Sequence, residues 1–247
     1  MITRRCTLGL FSVLLMVPAA ASAQIHQVGS SSSRDQKITI NFTLGYFWLR
    51  GLGSRPPEDV LVGDLQPPQP LLFNISDLNS VPVGGEFLYG ITRHIEFGAG
   101  LTYGQRTAHS VYANLTHPDG TEIMQDLKLK QVSEAFTGRY LLLPRGSSIE
   151  PYVGAGIVAI RYHYTEVGEF VDTTDLTTFP AQYETDGTVV GPLVLGGVRG
   201  HVSSRFVVGG EFRWQHAIAD VPLEAGMLGT KLDLSGWTGN FTFGFRF

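Results

Sequence analysis

The last seven residues, 241–247, constrain the fold more than any other stretch of the chain. Phenylalanine occupies every odd position, and small or polar residues fill the positions between them. Strict alternation of this kind predicts a β-strand with one apolar face and one polar face. A chain end in a water-soluble protein usually frays into solvent, so an aromatic end favours a strand whose apolar face is covered. For this segment alone, a hairpin strand that closes a water-soluble β-sandwich is the alternative.

The first 23 residues predict a cleaved secretory signal peptide. A short basic segment precedes an apolar run over residues 8–17, and small residues lead to a cleavage site after Ala23. The apolar run is too short for a membrane-spanning helix, which needs about 20 residues. The single cysteine, Cys6, lies in this segment, so we expect an exported chain without disulfides. Residues 24–37 then form a predicted polar N-terminal leader.

Composition and charge narrow the class of protein further. Charged residues make up only 16% of the chain, glycine accounts for 30 residues, and mean hydropathy is +0.07. Removing Arg4 and Arg5 with the signal changes the formal charge from −4 to −6, which gives no basic footprint for nucleic acid. No apolar run after the signal is long enough for a spanning helix. A closed barrel is the other structure that satisfies its own backbone in a bilayer, and alternation hides its hydrophobicity.

Eight alternating segments predict an all-β fold, an eight-stranded antiparallel transmembrane β-barrel over residues 38–247. The predicted strands are 38–50, 81–91, 94–106, 129–143, 150–164, 188–200, 205–217 and 231–247, the last with a bulge near Gly236. Three connections are tight, whereas four are long: 51–80, 107–127, 166–187 and 218–229. Short turns at one end and long loops at the other are typical of outer-membrane barrels.

Six charges in the middle of strands share the parity of the glycines and threonines, opposite the aromatic residues. A lipid-facing Arg or Lys near mid-bilayer costs on the order of 2–4 kcal/mol, so these side chains are predicted to face the lumen. They form the predicted lumen charge network: Glu86, Glu96, Arg139, Glu211, Arg213 and Arg246. Three acids and three bases can pair, as buried charges require. This parity excludes a lipocalin-like barrel, although Glu134 takes outward parity and Leu193 and Leu195 can point inward.

The signal segment, eight alternating strands, sorted loops, charged lumen and terminal phenylalanines together resemble the small outer-membrane barrels of the OmpA/OmpX type. Residues 151–156 and 209–214 are also similar to that group. The resemblance implies an outer-membrane location with periplasmic termini and extracellular long loops. It also implies that Phe243, Phe245 and Phe247 form the signal that the barrel-assembly machinery reads. Because the chain ends at the predicted barrel, no peptidoglycan-binding domain and no cell-wall anchoring are implied.

Charge is distributed unevenly between the long loops and the strand ends beside them. The four loops hold fifteen Asp or Glu residues and one base, Arg55. Four bases at the adjoining strand ends have lipid-facing parity: Arg50, Lys128, Lys130 and Arg161. Because Lys and Arg form charge-assisted hydrogen bonds with phosphates, these residues form a predicted lipopolysaccharide collar, with lipid phosphates rather than the protein's own carboxylates as partners. The alternative is acidic loops and basic strand ends without a ligand.

The sequence predicts no cofactor, no metal site and no catalytic residues. Glycine-rich triplets lie within strands without a following helix, and no cluster has metal-ligand spacing. His201 and Ser203 have residue types that lipid A-modifying barrels use, but they lie in a short turn at the wrong end.

We therefore predict a monomeric, non-enzymatic barrel with a structural or surface-interaction role and with outer-membrane lipid, lipopolysaccharide and the assembly machinery as partners. A narrow pore for small or apolar solutes and a lipid-modifying enzyme are the alternatives, and eight strands leave a lumen that side chains can fill.

Overall fold

The structure is a computed structural model that describes residues 37–172 and 174–247. Strands dominate this part of the chain, and the predicted all-β, eight-stranded barrel is confirmed. In chain order the strands are β1 (Ile38–Leu49), β2 (Leu71–Leu72), β3 (Val83–Gly90), β4 (Ile95–Thr116), β5 (Glu122–Leu141), β6 (Ile149–Val171), β7 (Thr178–His201), β8 (Phe206–Gln215), β9 (Ile218–Asp220), β10 (Lys231–Asp233) and β11 (Gly236–Arg246). The predicted signal peptide, and the leader up to residue 36, lie outside the described residues.

Eight strands form a closed antiparallel ring in the order β1, β3, β4, β5, β6, β7, β8 and β11, and β11 pairs with β1 to complete it. Residues that pair across neighbouring strands can be followed round the ring, starting at Trp48 of β1 and passing through Trp237 of β11 and Trp214 of β8. The path returns to β1 at Ile38, ten residues from its start. A stagger of this kind tilts the strands by about 35–45° from the barrel axis. Eight such strands enclose a lumen about wide enough for side chains to fill.

Alternate residues of the ring strands face outward and form an apolar belt. On β1, for example, Phe42 is 66% exposed while its neighbour Asn41 is 2% exposed. Aromatic residues border the belt at both edges: Tyr46, Trp48, Tyr103, Trp214 and Trp237 toward the long-loop end, and Tyr89, Tyr140, Phe206, Phe245 and Phe247 toward the short-turn end. An outward apolar band between two aromatic girdles is the surface that a bilayer covers in a transmembrane barrel.

Four strands continue beyond the belt at the long-loop end. β4, β5, β6 and β7 contain 22, 20, 23 and 24 residues, whereas a strand needs about 9–11 to span a membrane. The predicted long loops 107–127 and 166–187 are therefore wrong in extent, because most of their residues belong to these strands. Ladder pairing continues to Thr116 opposite Glu122 and to Val171 opposite Thr178. The strands thus form a wall that stands above the belt.

The other two long connections fold into the open end of the ring. The first long loop, residues 50–82, contains β2, a short helix α1 (Val60–Gly63) and the 3-10 turns Leu52–Ser54 and Ile75–Leu78. The last long loop, residues 216–235, contains β9 and β10, which pair with each other, and the 3-10 turn Leu223–Ala225. The predicted eighth strand is thus two strands, β10 and β11, and where a bulge near Gly236 was expected the strand is instead interrupted at residues 234–235, with Gly236 paired in regular register. No helix within residues 37–172 or 174–247 is long and apolar enough to cross a membrane.

The interior has two tiers of different chemistry. The tier toward the long loops is apolar and includes Leu127, Ile160 and Leu193 from the wall, with Leu61 of α1 packed against them. The tier toward the short turns is charged. Leu193 and Leu195, which the parity scheme left open, point inward and are 2% and 6% exposed. The boundary between the tiers therefore falls within the barrel, and the charged tier carries four of the six predicted lumen charges in one cluster.

Candidate functional site

The central quartet is a cluster of four predicted lumen charges: Glu86, Arg139, Glu211 and Arg213. Arg139 pairs with Glu86 and, at 2.9 Å, with Glu211. Arg213 pairs with Glu86 at 3.1 Å and also with Glu211. The four residues come from β3, β5 and β8, which are not neighbours in the ring, and each is at most 8% exposed. The quartet is neutral and links strands across the lumen.

A second cluster, the lower cluster, lies nearer the short turns and consists of Glu96, Arg145, Glu150, Arg199 and Arg246. Glu96 pairs at 2.8 Å with both Arg145 and Arg199. Glu150 pairs with Arg199 at 3.0 Å and with Arg246 at 2.8 Å. The structure therefore places Glu96 and Arg246 here, without an ion pair to the central quartet among the described residues.

Three members of the lower cluster were missed by sequence reasoning. Arg145 lies in the turn between β5 and β6, where strand parity gives no information, and its guanidinium enters the barrel end. It fits because position 90 is glycine: a Cβ there would lie 1.2 Å from Arg145 Nη1. Glu150 and Arg199 lie near strand ends. Arg199 lies on the same face of β7 as Leu193 and Leu195. If those leucines had been assigned to the inward face, Arg199 would have been predicted as a lumen charge.

Tyr152 joins the two clusters. Its ring lies between two guanidinium groups, with the Cζ atoms of Arg139 and Arg199 at 5.0 and 5.2 Å from the ring centroid. The hydroxyl donates a hydrogen bond to Glu211 Oε2 at 3.0 Å. Gly197 leaves space for this hydroxyl, since a Cβ there would lie 2.6 Å from it. The Tyr152 ring thus lies in the gap between the two charge clusters and makes a cation–π contact on each face.

The apolar tier is closed by α1, and Asp59 holds that helix in place. Asp59 caps the helix by accepting a hydrogen bond from the Leu61 amide at 3.0 Å. It also accepts two hydrogen bonds from Arg55, both at 3.0 Å, and one from the Asp233 amide at 2.7 Å. Arg55 in turn donates to the Asp233 carbonyl at 2.7 Å. These contacts tie the first long loop to the last one and seat Val60 and Leu61, both 0% exposed, in the apolar tier.

Little space is left between the two tiers. The cavity at their boundary measures about 40 Å³ and is lined by Arg213 of the quartet and by Leu193 and Val158 of the apolar tier. That volume holds a few water molecules. Side chains therefore occupy the lumen on both sides of the boundary.

A larger cavity, the upper cavity, lies on the long-loop side of α1 and measures about 340 Å³. Its floor includes Asp64, Gln125 and Glu166, and its walls include four aromatic side chains, those of Tyr112, Phe170, Phe179 and Tyr183. Asp64, Gln125 and Glu166 are 2%, 3% and 4% exposed, and Asp64 and Glu166 belong to the acidic long loops that the sequence predicted. Sequence reasoning missed this site because only tertiary packing brings the first long loop against β5 and β6.

The two carboxyl groups of the upper cavity lie outside the apolar belt and have perturbed ionisation. Burial, followed by repulsion from Glu166, holds the pKa of Asp64 well above its usual range. Burial raises the pKa of Glu166 to about 7. Both shifts have the sign expected for carboxylates without a compensating base. A positive group in this cavity would favour the ionised form of each.

The four residues of the predicted lipopolysaccharide collar differ in their partners. Lys128 and Lys130 face outward on β5 and alternate with the buried Leu127, Leu129 and Gln131. Arg161 faces outward on β6 but pairs with Glu134 at 3.1 Å, which also gives that outward-facing acid a partner.

Arg50 pairs with Asp233 at 3.3 Å and donates a hydrogen bond to the Ser54 carbonyl. Arg50 and Arg161 therefore have carboxylate partners within the chain, which departs from the expectation that they hold lipid phosphates instead. Carboxylates of the chain itself lie close enough to compete with lipid phosphates, and sequence parity could not reveal this for Asp233, which is buried in a folded loop.

The three phenylalanines of the predicted assembly signal lie in one aromatic patch at the short-turn end. Phe206 of β8 stacks on Phe243 at 5.6 Å between ring centroids and meets Phe245 edge-on at 5.0 Å. Phe245 and Phe247 are 4.6 Å apart in an edge contact. Their strand, β11, pairs with β8 on one side and with β1 on the other.

The short turn that contains His201 and Ser203 does not bring the two side chains together as a catalytic pair. His201 Nε2 lies 2.7 Å from Arg246 Nη1, whereas Ser203 Oγ accepts hydrogen bonds from the amides of Arg205 and Phe206. Ser203 thus stabilises its own turn. Within residues 37–172 and 174–247, no group of three or more His, Cys, Asp or Glu residues is placed to hold a metal ion.

No protein-family model and no curated protein matches the chain. Several solved structures do, among them the outer membrane protein OprG from Pseudomonas aeruginosa, with 12% identity, a TM-score of 0.50 and coverage of 86% of this chain and 96% of that one. Neisserial surface protein A (13%, TM-score 0.43, 85% and 95%) and Escherichia coli outer membrane protein W (17%, 0.41, 86% and 98%) also match. At these identities the likeness concerns the fold. The closed ring, the apolar belt and the filled lumen together define a small eight-stranded outer-membrane β-barrel.

Proposed function

We propose that this protein is a closed, non-enzymatic outer-membrane barrel that acts at the membrane surface and does not conduct solutes. The observation that carries the proposal is the filling of the lumen by two successive tiers, the charged clusters around Tyr152 and the apolar tier under α1. A solute passing through would have to separate buried ion pairs and displace a packed helix. Separating a buried pair leaves uncompensated charge and costs roughly 3–5 kcal/mol.

Proteoliposomes test this proposal against the narrow-pore alternative. We expect liposomes that contain the folded barrel to retain a small sugar such as arabinose as well as protein-free liposomes do. A porin reconstituted at the same protein-to-lipid ratio provides the positive control. Release of arabinose at a rate that rises with the amount of barrel would favour the pore and reject the closed lumen.

We further propose that the long loops face the cell exterior and that Lys128 and Lys130 contact lipopolysaccharide phosphates. Both lysines face outward on β5, beyond Glu134 in the direction of the long loops. Several bases near multivalent phosphates gain charge-assisted hydrogen bonds, which salt weakens at exposed sites. Because lipopolysaccharide occupies the outer leaflet, such a contact also sets the orientation of the barrel.

The double variant Lys128→Ala/Lys130→Ala should bind lipopolysaccharide several-fold more weakly at low salt, with a smaller difference at high salt. Lipopolysaccharide that copurifies with each protein is the measurement. Arg161→Ala is the matched control, since Arg161 already pairs with Glu134. Equal retention by wild type and the double variant at low salt would refute the contact.

A further inference from the structure

The floor of the upper cavity has an excess of hydrogen-bond acceptors. Asp64 Oδ2, Gln125 Oε1 and Glu166 Oε1 are buried, and none has a hydrogen-bond partner among residues 37–172 and 174–247. The orientation of Gln125 is fixed by its own amide, which donates to the Tyr112 hydroxyl at 2.8 Å and to the Glu169 carbonyl at 3.1 Å. The Tyr164 hydroxyl lies close enough to lower the pKa of both carboxyl groups, but a hydroxyl has one proton to donate and cannot satisfy three acceptor oxygens.

The charge of this site is also uncompensated. No Lys or Arg from the described parts of the chain lines the cavity. The buried base nearest in sequence to Asp64 is Arg55, whose guanidinium is bound to both carboxylate oxygens of Asp59. Buried carboxylates are stabilised only by paired charge and hydrogen bonds. A ligand that carries both a positive charge and N–H donors would supply what the floor lacks.

The walls fit an organic group rather than a hydrated metal ion. Phe170 and Tyr183 meet edge-on with ring centroids 4.7 Å apart, and Phe179 lies 6.3 Å from Phe170. Aromatic faces attract ammonium groups, and apolar walls cover an attached alkyl chain. Calcium requires six to eight oxygen ligands, and the floor provides two carboxyl groups and one amide oxygen.

We propose that the upper cavity binds a small organic cation, with its ammonium group on Asp64, Gln125 and Glu166 and its apolar part against the aromatic walls. The volume of about 340 Å³ lies in the range of small-molecule sites, roughly 300–1,000 Å³. This inference does not depend on whether the lumen conducts, because the site lies on the long-loop side of α1.

Calorimetric titration of the full barrel with butylammonium in a neutral detergent tests the site. At pH 8, above the raised pKa of Glu166, we expect binding at least about tenfold tighter than binding of 1-butanol, which has the same chain without the charge. Asp64→Asn and Glu166→Gln should each weaken butylammonium binding by about tenfold or more. Glu184→Gln, which removes an exposed acid from β7, should leave the affinity unchanged.

The variants also separate loss of binding from loss of folding. Asn and Gln preserve side-chain shape and remove buried negative charge, so the thermal unfolding midpoint of each variant at pH 8 should equal or exceed that of wild type. Reduced binding with an intact midpoint supports the site. Equal affinity for butylammonium and 1-butanol, unchanged binding in both variants, or stronger binding of Ca²⁺ than of butylammonium would overturn the proposal.

Discussion

Replacing Arg139 with methionine is expected to lower the free energy of unfolding of the barrel by about 3–5 kcal/mol, the usual cost of breaking a buried ion pair. Arg139 is 3% exposed and contacts both Glu86 and Glu211. Without it, two buried carboxylates share the single guanidinium of Arg213. Methionine retains apolar volume beside Tyr152, so the loss of unfolding free energy measures the removal of the charge rather than the creation of a cavity.

Urea unfolding of the refolded barrel in lipid or detergent measures this loss. Arg161→Met is the matched control: it removes an arginine paired with a carboxylate, but that side chain is 67% exposed. An exposed pair contributes about 0.2–1 kcal/mol. Adding Glu86→Gln to Arg139→Met should recover part of the lost stability, since it removes one uncompensated charge. Similar losses for Arg139→Met and Arg161→Met would mean that the quartet is not a buried network.

Replacing Asp59 with alanine is expected to release the first long loop from the barrel. Asp59 is 0% exposed and accepts hydrogen bonds from Arg55, Leu61 and the Asp233 amide. The change leaves a buried guanidinium without its carboxylate, which costs roughly 3–5 kcal/mol, and it removes a helix cap worth about 0.5–2 kcal/mol. Because these contacts lie in the loops, we expect local release of α1 while the ring stays closed.

Limited proteolysis of the folded variant is the direct measurement. Asp59→Ala should be cleaved within residues 50–82 much faster than wild type, while the protected barrel fragment keeps its β-sheet circular dichroism. Glu58→Ala is the control, because this neighbouring acid is exposed. If Asp59→Ala and Glu58→Ala resist the protease equally, Asp59 does not hold the first long loop in place.

The sequence predicted the barrel strands where lipid imposes the pattern. Within the belt, apolar residues face outward, as Phe42 does on β1, and every such strand was found. Beyond the belt the pattern reverses: Leu127, Leu129 and Tyr164 point inward, whereas Lys128 and Arg161 point outward. Beyond the belt the strands have an apolar inner face and a polar outer face, as in a water-soluble β-sheet. Because the prediction looked for apolar residues that face lipid, it ended these strands too early.

The residues of the charge clusters and the upper cavity could be predicted only where their position in a strand determines whether the side chain points inward or outward. Parity identified the four members of the central quartet, but it could not show that Glu96 and Arg246 belong to a separate cluster completed by Arg145 from a turn. The upper cavity depended on the first long loop folding back onto the wall, which brings Asp64 near Glu166 from a separation of about a hundred residues. Alternation along one strand carries no information about such contacts.

Planar-bilayer recording of the purified, folded wild-type barrel tests the closed lumen most directly, because ions are smaller than any solute in a release assay. The two filled tiers predict no steady conductance above the protein-free bilayer at neutral pH. A steady conductance comparable to that of a porin, proportional to the number of inserted barrels, would contradict the account.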